Sequence, residues 1–303
     1  MGLDVLCIGH AAYDLLFYVE QFPSENSKSE TALSQESGGG PAANAAYLLS
    51  LWGTGCAFAG VVGDDYFGQQ ILAEFKSVAT NTSLLEVRSD FVTPLSCVLV
   101  SRKSGSRTLV NRKVPCSPLK LELESLAGLF PKILLFDGHE LEASLSALAA
   151  FPNAISLLDA GSAREGTLAL AGKVTHLVAS ERFALQVTAL PNLASADLQR
   201  NCLDALRKRF NATIVVTLGE RGLIVSNGQG CQRLPAFPVA VADTTAAGDI
   251  FHGALAYGLL EEKPLLDNLR FASMAAALSV ASPGGRQSIP SVERVKAALA
   301  HAE

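Results

Sequence analysis

The chain has 303 residues, of which 49% are hydrophobic and 17% are charged, and its net charge is −5. This length can bury a full core, this composition excludes a disordered chain, and the negative charge argues against a nucleic-acid partner. Because no apolar stretch reaches the ~20 residues of a membrane helix and the cysteines form no CxxC pair, we expect a cytoplasmic protein with reduced thiols and no membrane partner.

Short apolar runs alternate with longer helical patterns along the chain. The predicted strands are residues 5–8, 57–62, 133–136, 155–158, 176–179, 214–218 and 223–226. The predicted helices are residues 42–51, 65–79, 141–150, 165–171, 195–210, 250–260, 265–281 and 291–300. This alternation predicts an α/β fold in one domain over residues 1–303, with a doubly wound, mostly parallel sheet flanked by helices. Ligands of such a sheet bind beyond the carboxyl ends of its strands.

Two segments interrupt the alternation. Residues 14–20 alternate in strand fashion, a polar stretch at 23–35 follows, and two later strands flank a hairpin turn at 103–106. Together they predict a small β-sheet with strands from about 13–36 and 95–113. This sheet is either a lid that excludes water from a ligand or a set of ordinary edge strands. An exposed lid edge would also suit a homodimer.

A glycine-rich turn, residues 38–40, precedes the first predicted helix. Glycines permit strained dihedral angles and close approach to a ligand, and Asn44 offers a donor and acceptors in the first helical turn. No Gly-Lys-Ser/Thr follows, which excludes a Walker-type phosphate loop. A polar stretch and not a strand precedes the turn, which argues against a dinucleotide-binding fingerprint.

The segment 243–254 is the most informative part of the chain. The small side chains of Ala246, Ala247 and Gly248 would leave backbone N–H groups uncovered at a helix N-terminus, where they favour an anion. Asp249 follows directly and could act as a base toward an attacking hydroxyl. The alternative is an ordinary helix start, in which Asp or Thr caps the helix and the small residues serve packing.

The glycine turn and the segment 243–254 together resemble the ribokinase-like (PfkB) family of carbohydrate and nucleoside kinases. Further matches occur in the family's order along the chain: Gly9, Asp14, Gly53, residues 60–68 and residues 217–222. Several motifs in the right order form a specific signal. The resemblance implies a ribokinase-like fold and transfer of the γ-phosphate of ATP, with Mg²⁺, to a hydroxyl group.

The resemblance also implies a role for each matching residue. Asp249 matches the catalytic base, and the turn 246–249, with Ala246, Ala247 and Gly248, matches the anion hole. The substrate-binding residues would be Asp14, Gly39, Gly40 and Asn44. The nucleotide would lie against Thr217, Gly219, Gly222, Ser180 and Gly248.

Three positions depart from the family pattern. Ser180 stands where Asn is usual, and Phe183 stands where a Glu usually helps to organise Mg²⁺ through water. Glu181 could substitute in part. Ala246 replaces a frequent glycine, a change that should be mild if its φ stays negative.

The turn 282–288 lies where many relatives bind a monovalent cation through backbone carbonyls. Two interpretations remain open, a Pro-Gly turn after a helix or a K⁺ site. The K⁺ ligands would come from around Asp243, Thr245, Ser282, Gly285 and Ser288.

The sequence says least about the acceptor, the molecule that would receive the phosphate group. Asp14 and Asn44 suit an uncharged polyhydroxylated ligand. The basic hairpin residues, Arg107 among them, either are solvated charges or face the cleft and bind a sugar phosphate or acid. His139 follows a strand end and is a further candidate for the pocket. The favoured function is a sugar kinase, and the alternatives are a nucleoside kinase and a catalytically weak regulatory homologue.

Overall fold

The computed structural model describes residues 2–226 and 230–302. Its strands, in chain order, are β1 Val5–Ile8, β2 Ala12–Val19, β3 Ser34–Gly39, β4 Cys56–Gly63, β5 Asn81–Arg88, β6 Leu95–Ser101, β7 Arg107–Arg112, β8 Ile133–Phe136, β9 Ile155–Ala160, β10 His176–Ser180, β11 Thr213–Thr217, β12 Leu223–Ser226 and β13 Cys231–Leu234. Its α-helices are α1 Pro41–Leu51, α2 Tyr66–Ser77, α3 Leu123–Leu126, α4 Leu141–Ala150, α5 Glu165–Ala171, α6 Glu181–Thr188, α7 Ala196–Arg209, α8 Ala247–Leu260, α9 Leu265–Val280 and α10 Val292–His301.

The main sheet of the described residues has nine strands, in the order β13-β12-β11-β10-β9-β8-β1-β4-β5. The strands from β11 to β5 pair in parallel, and only β12 and β13 at one edge pair antiparallel. The predicted mostly parallel sheet flanked by helices is confirmed.

Helices cover both faces of this sheet, because its central strands are apolar on both sides. In β1, Val5 and Cys7 pack into one core cluster with residues of α1, α2, α8 and α9. Leu6 and Ile8 point to the opposite face and pack with residues of α4, α5, α6 and α7. The alternation of side chains along a strand thus joins two cores through one buried sheet.

The second sheet of the described residues has four strands, in the order β3-β2-β6-β7. Its own small core consists of Leu16, Tyr18, Val98 and Val100. Strand β2 pairs antiparallel with β3 and parallel with β6. The predicted small sheet is therefore present.

The expectation that no strand precedes the glycine turn is wrong. Strand β3 occupies Ser34–Gly39, and the glycines at its end pair with the start of β2, Gly39 opposite Ala12. The sequence Ser-Gln-Glu-Ser-Gly-Gly has little intrinsic strand preference, so the hydrogen bonds to β2 and not the local residues determine its conformation.

Other elements that sequence reasoning missed are β5, β13, α3 and α6. Strand β5 lies at the sheet edge and is half exposed, so it lacks a continuous apolar run. Helix α6 is short and begins at Glu181, directly after Ser180, whose side chain caps it. In the ranges 2–226 and 230–302, no helix is both long enough and apolar enough to cross a bilayer.

Candidate active site

A cavity of about 460 Å³ lies between the carboxyl edge of the main sheet and the second sheet. The predicted site residues that line it are Asp14, Gly40, Asn44, Arg107, His139, Ala246 and Asp249. They come from β2, α1, β7, the loop after β8 and the start of α8. The structure thus brings together residues that are up to 235 positions apart in the chain, the separation of Asp14 and Asp249.

The turn before α8 is held by the carboxylate of Asp243. One oxygen accepts hydrogen bonds from the backbone N–H and the hydroxyl of Thr245, at 2.8 and 2.6 Å. The other accepts from the Tyr18 hydroxyl at 2.8 Å and from the Gly284 N–H at 3.0 Å. Asp243 therefore ties the turn to the second sheet and to the loop after α9.

The first turn of α8 presents backbone donors. The N–H groups of Ala247, Gly248 and Asp249 belong to the first helical turn, where the helix itself supplies no acceptor. The Ala247 N–H lies 3.4 Å from the Thr244 carbonyl, and a Cβ on Gly248 would meet no atom within 4 Å, so the space beside Gly248 is open. The arrangement suits an anion at the helix N-terminus.

The residue before this turn is backbone-strained. Ala246 has φ 60° and ψ 4°, which is the left-handed region and not the negative φ expected from the sequence. A residue with a Cβ pays about 1–2 kcal/mol there, whereas glycine does not.

We expect Ala246→Gly to raise the free energy of unfolding by about 1 kcal/mol. Urea unfolding measures this change, with Ala247→Gly, inside α8, as the matched control that should be destabilised instead. A loss of stability in Ala246→Gly would contradict the strain assigned to this position.

Asp249 is partly exposed to the cavity and is held by Asn44. Its Oδ2 accepts a hydrogen bond from Asn44 Nδ2 at 2.7 Å. Burial and the nearby charge of Asp159 raise the pKa of Asp249 to about 6, while Asn44, Arg107 and His252 act in the opposite direction. A carboxyl group with such a pKa is ionised at neutral pH and still basic enough to accept a proton.

Asn44 is oriented by a buried arginine that sequence reasoning did not identify. Arg286 Nε donates to Asn44 Oδ1 at 3.1 Å, so the amide NH₂ must point to Asp249. The guanidinium group also pairs with Glu74 at 2.7 Å and lies 4.9 Å from the ring centres of Tyr47 and Phe75. Nothing in the local sequence Pro-Gly-Gly-Arg signals this role.

A second missed pair is Asp159 and His252. Asp159 lies near the end of β9, and its Oδ2 is 3.3 Å from His252 Nδ1. The same nitrogen is 2.6 Å from the carbonyl oxygen of Gly248, in the turn before Asp249. A carboxylate after an apolar run at a strand's carboxyl end is a signal that could have found Asp159.

Asp14 lies opposite the glycine turn. A Cβ on Gly39 would stand 2.2 Å from the Asp14 carboxylate, so the close approach of the two strands requires glycine there. Gly40 has φ +99°, a conformation that L side chains rarely adopt. Burial raises the pKa of Asp14, whereas a hydrogen bond to Ser96 lowers it.

The predicted nucleotide residues lie along the same sheet edge but outside this cavity. Thr217 ends β11, and Gly219 begins a 3₁₀ turn, Gly219–Arg221, that precedes Gly222. The Ser180 hydroxyl donates to the Gly161 carbonyl at 2.8 Å and accepts from the Phe183 N–H at 3.1 Å.

The predicted metal residue has a different neighbour. The Glu181 carboxylate pairs with the Arg221 guanidinium group, and Phe183 is fully buried in the core. Within residues 2–226 and 230–302, no cluster of three or more His, Cys, Asp or Glu side chains could hold a metal ion. Glu181 as a water-mediated metal residue stays a prediction.

Around the predicted K⁺ position, the protein supplies its own hydrogen bonds. Ser288 Oγ donates to the Gly285 carbonyl at 2.8 Å, and the Ser282 N–H donates to the Ser279 carbonyl at 3.1 Å. Asp243 already accepts the four hydrogen bonds described above. The K⁺ site also stays a prediction.

Comparison with known proteins defines the class as an enzyme that phosphorylates carbohydrates. The chain belongs to the pfkB family of carbohydrate kinases, whose model matches residues 3–292. This confirms the predicted enzyme class, an ATP-dependent sugar kinase.

Individual relatives match the chain along its length. The ribokinase of Lactococcus lactis is 30% identical over 312 residues, which cover 99% of this chain and 98% of that protein. The structure of a putative ribokinase from Agrobacterium tumefaciens has a TM-score of 0.88 and 28% identity, covering 100% of this chain and 99% of the other. An Arabidopsis thaliana ribokinase, solved with ribose and ATP, shares the fold with a TM-score of 0.82, covering 99% of each chain at 22% identity.

Proposed function

We propose that this protein transfers the γ-phosphate of ATP to a hydroxyl group of a small sugar. The observation that carries the proposal is Asp249, which lines the cavity in the first turn of α8 and is held by Asn44 at 2.7 Å. Phosphoryl transfer requires positioning and electrostatic stabilisation more than covalent chemistry, and this site offers both.

In the proposed reaction, the sugar lies between Asp14 and Asp249. Hydrogen bonds from sugar hydroxyls to Asp14, and contacts with Asn44 and Gly40, orient the attacking hydroxyl. Asp249 accepts its proton as the new O–P bond forms and the bond between the γ-phosphorus and the β,γ-bridging oxygen breaks, which releases ADP. The N–H groups of Ala247, Gly248 and Asp249 then stabilise negative charge on the transferring phosphoryl group.

The nucleotide is proposed to lie along Thr217, Gly219, Gly222 and Ser180, with its phosphates toward Gly248. The open space beside Gly219 and Gly248, where a Cβ would meet no atom within 4 Å, supports this placement. Mg²⁺ would neutralise charge on the ATP phosphates. K⁺ near Asp243 would strengthen the loop dipoles beside the anion hole.

The chain is proposed to form one ribokinase-like domain. Its second sheet is proposed to act as a lid over the cavity. Strands β2, β6 and β7 all contribute residues to the cavity wall, which supports a role in excluding water. Strand β7 is one of the two edge strands of this sheet in the described part of the chain, and Val110 on it is 71% exposed. We propose that this edge mediates a homodimer, which sedimentation equilibrium would detect as twice the monomer mass.

The activity is tested by measuring ADP release from ATP with a panel of neutral sugars, sugar acids, sugar phosphates and nucleosides. The expected result is ADP release that depends on a sugar acceptor. Turnover with nucleosides alone would indicate a nucleoside kinase of the same fold. Binding of ATP with no turnover on any acceptor would contradict the proposed catalysis and favour a regulatory homologue.

The pH dependence of kcat/KM should follow the ionisation of Asp249, the proposed base. Because Asp249 must be ionised to accept a proton and its pKa is raised to about 6, kcat/KM should fall about tenfold per pH unit below that value. Asp159→Asn removes one of the causes that raise this pKa, so the midpoint of the acid limb should move to lower pH. A midpoint that stays in place or moves to higher pH in Asp159→Asn would contradict the coupling of these two carboxyl groups.

A further inference from the structure

Resting on the proposed function, we propose that the sugar acceptor carries an anionic group, a phosphate or a carboxylate, bound by Arg164 and Lys113. Both side chains line the same cavity as Asp249 and Asp14. Lys113 follows β7, and Arg164 is the residue before α5. The binding of a charged group is a property that the family assignment does not specify.

The first observation is an excess of cationic side chains in the cavity wall. Four of them line it: Arg107, Arg112, Lys113 and Arg164. Within the described residues, none of the four has a carboxylate at ion-pair distance, although Arg88, Arg102, Arg221 and Arg286 elsewhere each have one. Arg164 is half-buried, whereas Arg107, Arg112 and Lys113 are exposed along the cavity wall. Four positive charges without a paired carboxylate around one cavity favour an anion there.

The second observation is that uncharged acceptors hold these cations. Arg107 donates to the Thr244 carbonyl, Arg112 donates to the Thr93 carbonyl at 3.0 Å, and Arg164 donates to the Asp137 carbonyl at 3.2 Å. The Nε of Arg164 is buried and has no hydrogen-bond partner among the described residues. Carbonyl contacts fix the direction of a guanidinium group but do not neutralise its charge.

The third observation is His139, which lies between Arg164 and Lys113. Its Nδ1 is 2.9 Å from Lys113 Nζ and 3.2 Å from an Arg164 nitrogen, which also contacts Nε2. Burial, Arg164 and Lys113 lower the pKa of His139 to about 3, so the ring is neutral. A neutral imidazole has one acceptor nitrogen and cannot satisfy two cations at once.

The nearby carboxylates are already engaged by backbone groups. Asp137 accepts hydrogen bonds from the N–H groups of His10, Ala42 and His139 at 2.8 to 3.2 Å. Glu140 accepts from the Leu119 N–H at 2.9 Å. Burial and Arg164 lower the pKa of Lys113, whereas Asp137 and Glu140 only partly offset this. An anion supplied by the ligand would complete this end of the cavity.

Arg164 lies near Asp159, whose pKa its charge lowers, and contacts His139, which in turn contacts Lys113. Arg107 lies beside the turn of α8, where its charge lowers the pKa of both Asp249 and Asp14. Lys113 and His139 instead border a second cavity of about 620 Å³, which adjoins the first. A sugar oriented by Asp14 and Asn44 would therefore point its far end, and any charged group there, toward Lys113 and Arg164.

The test compares acceptors that share one carbon skeleton: a neutral hexose, its 6-phosphate and its aldonic acid. We expect one of the two anionic acceptors to have a kcat/KM about 10–100-fold above that of the neutral sugar, from one or two charge-assisted contacts. The phosphate and carboxylate arms identify which anion the site prefers. Equal or lower kcat/KM for both anionic acceptors would overturn the proposal while leaving the sugar kinase intact.

Variants locate the contact. Arg164→Met and Lys113→Met should each raise KM for the anionic acceptor about tenfold or more, with KM for ATP unchanged. Lys103→Met, an exposed lysine on the same hairpin, is the matched control and should change neither. A rise in KM for ATP instead would assign these cations to the nucleotide and refute the proposal.

A binding measurement tests the preference for an anionic sugar even if the protein turns over no acceptor. Titration calorimetry without ATP should show the anionic sugar binding about 10–100-fold more tightly than the neutral one, with the preference lost in Arg164→Met. Absence of turnover would then count against the proposed kinase activity only. Absence of any binding preference would count against the anionic acceptor.

Discussion

Replacing the base Asp249 by Asn should lower kcat by about 10²–10⁴-fold. Asparagine keeps the size of the side chain and an oxygen that can accept the Asn44 hydrogen bond, but it cannot take a proton from the attacking hydroxyl. Coupled ADP release at saturating ATP and acceptor measures this change. The KM for the acceptor should change far less than kcat, because the lost interaction belongs to the transition state.

Two controls separate catalysis from folding. Asp249→Asn should be at least as stable as the wild type to urea, because the folded state raises the pKa of this carboxyl group and therefore disfavours its charge. Asp267→Asn on α9, an exposed position, should keep the wild-type kcat. A wild-type kcat in Asp249→Asn would exclude Asp249 as the base.

Arg286→Met should lower the free energy of unfolding by about 3 kcal/mol. The guanidinium group is only 4% exposed, pairs with Glu74 and stacks between Tyr47 and Phe75. Removing it leaves the Glu74 carboxylate, whose side chain is 26% exposed, with the Gly38 N–H as its remaining partner and no counter-charge. Urea unfolding measures the loss, and kcat should fall as well because Asn44 loses the donor that fixes its amide.

The double variant Arg286→Met/Glu74→Met separates the two contributions. Removing both charges should recover much of the stability, because the uncompensated carboxylate is gone. The fall in kcat should remain, since Asn44 is still unanchored. Arg294→Met, exposed on α10, is the matched control. An unfolding midpoint of Arg286→Met equal to that of the control would contradict the structural role of Arg286.

The part of the fold that sequence patterns could predict is the part that is buried on both faces. Strands β1, β8 and β12 have the predicted bounds, because each is a short, wholly buried apolar run. Strand β3 could not be predicted in this way, because its polar residues are extended only through pairing with β2. The half-exposed edge strand β5 was missed for a similar reason, since solvent on one side removes the apolar signal.

The site residues also differ in how far the sequence could predict them. Asp14, Asn44 and Asp249 stand in recognisable local motifs, and the structure places all three around one cavity. Arg286 and His252 have no such motif, and Asp159 is marked only by its place at the carboxyl end of a strand. Their importance comes from contacts made across the fold, such as Arg286 with Asn44, which are 242 positions apart. Local sequence also could not show that Ala246 has a positive φ, because the turn held by Asp243 imposes that conformation.

The most direct test of phosphoryl transfer to a sugar is the stoichiometry of its two products. ADP and phosphorylated acceptor are measured in the same reaction, the second by phosphorus NMR, with wild-type protein and each acceptor of the panel. We expect equal amounts of the two products with a sugar acceptor, and neither product above background when the acceptor is omitted. ADP release that is independent of any acceptor, with no phosphorylated sugar formed, would contradict the proposed function.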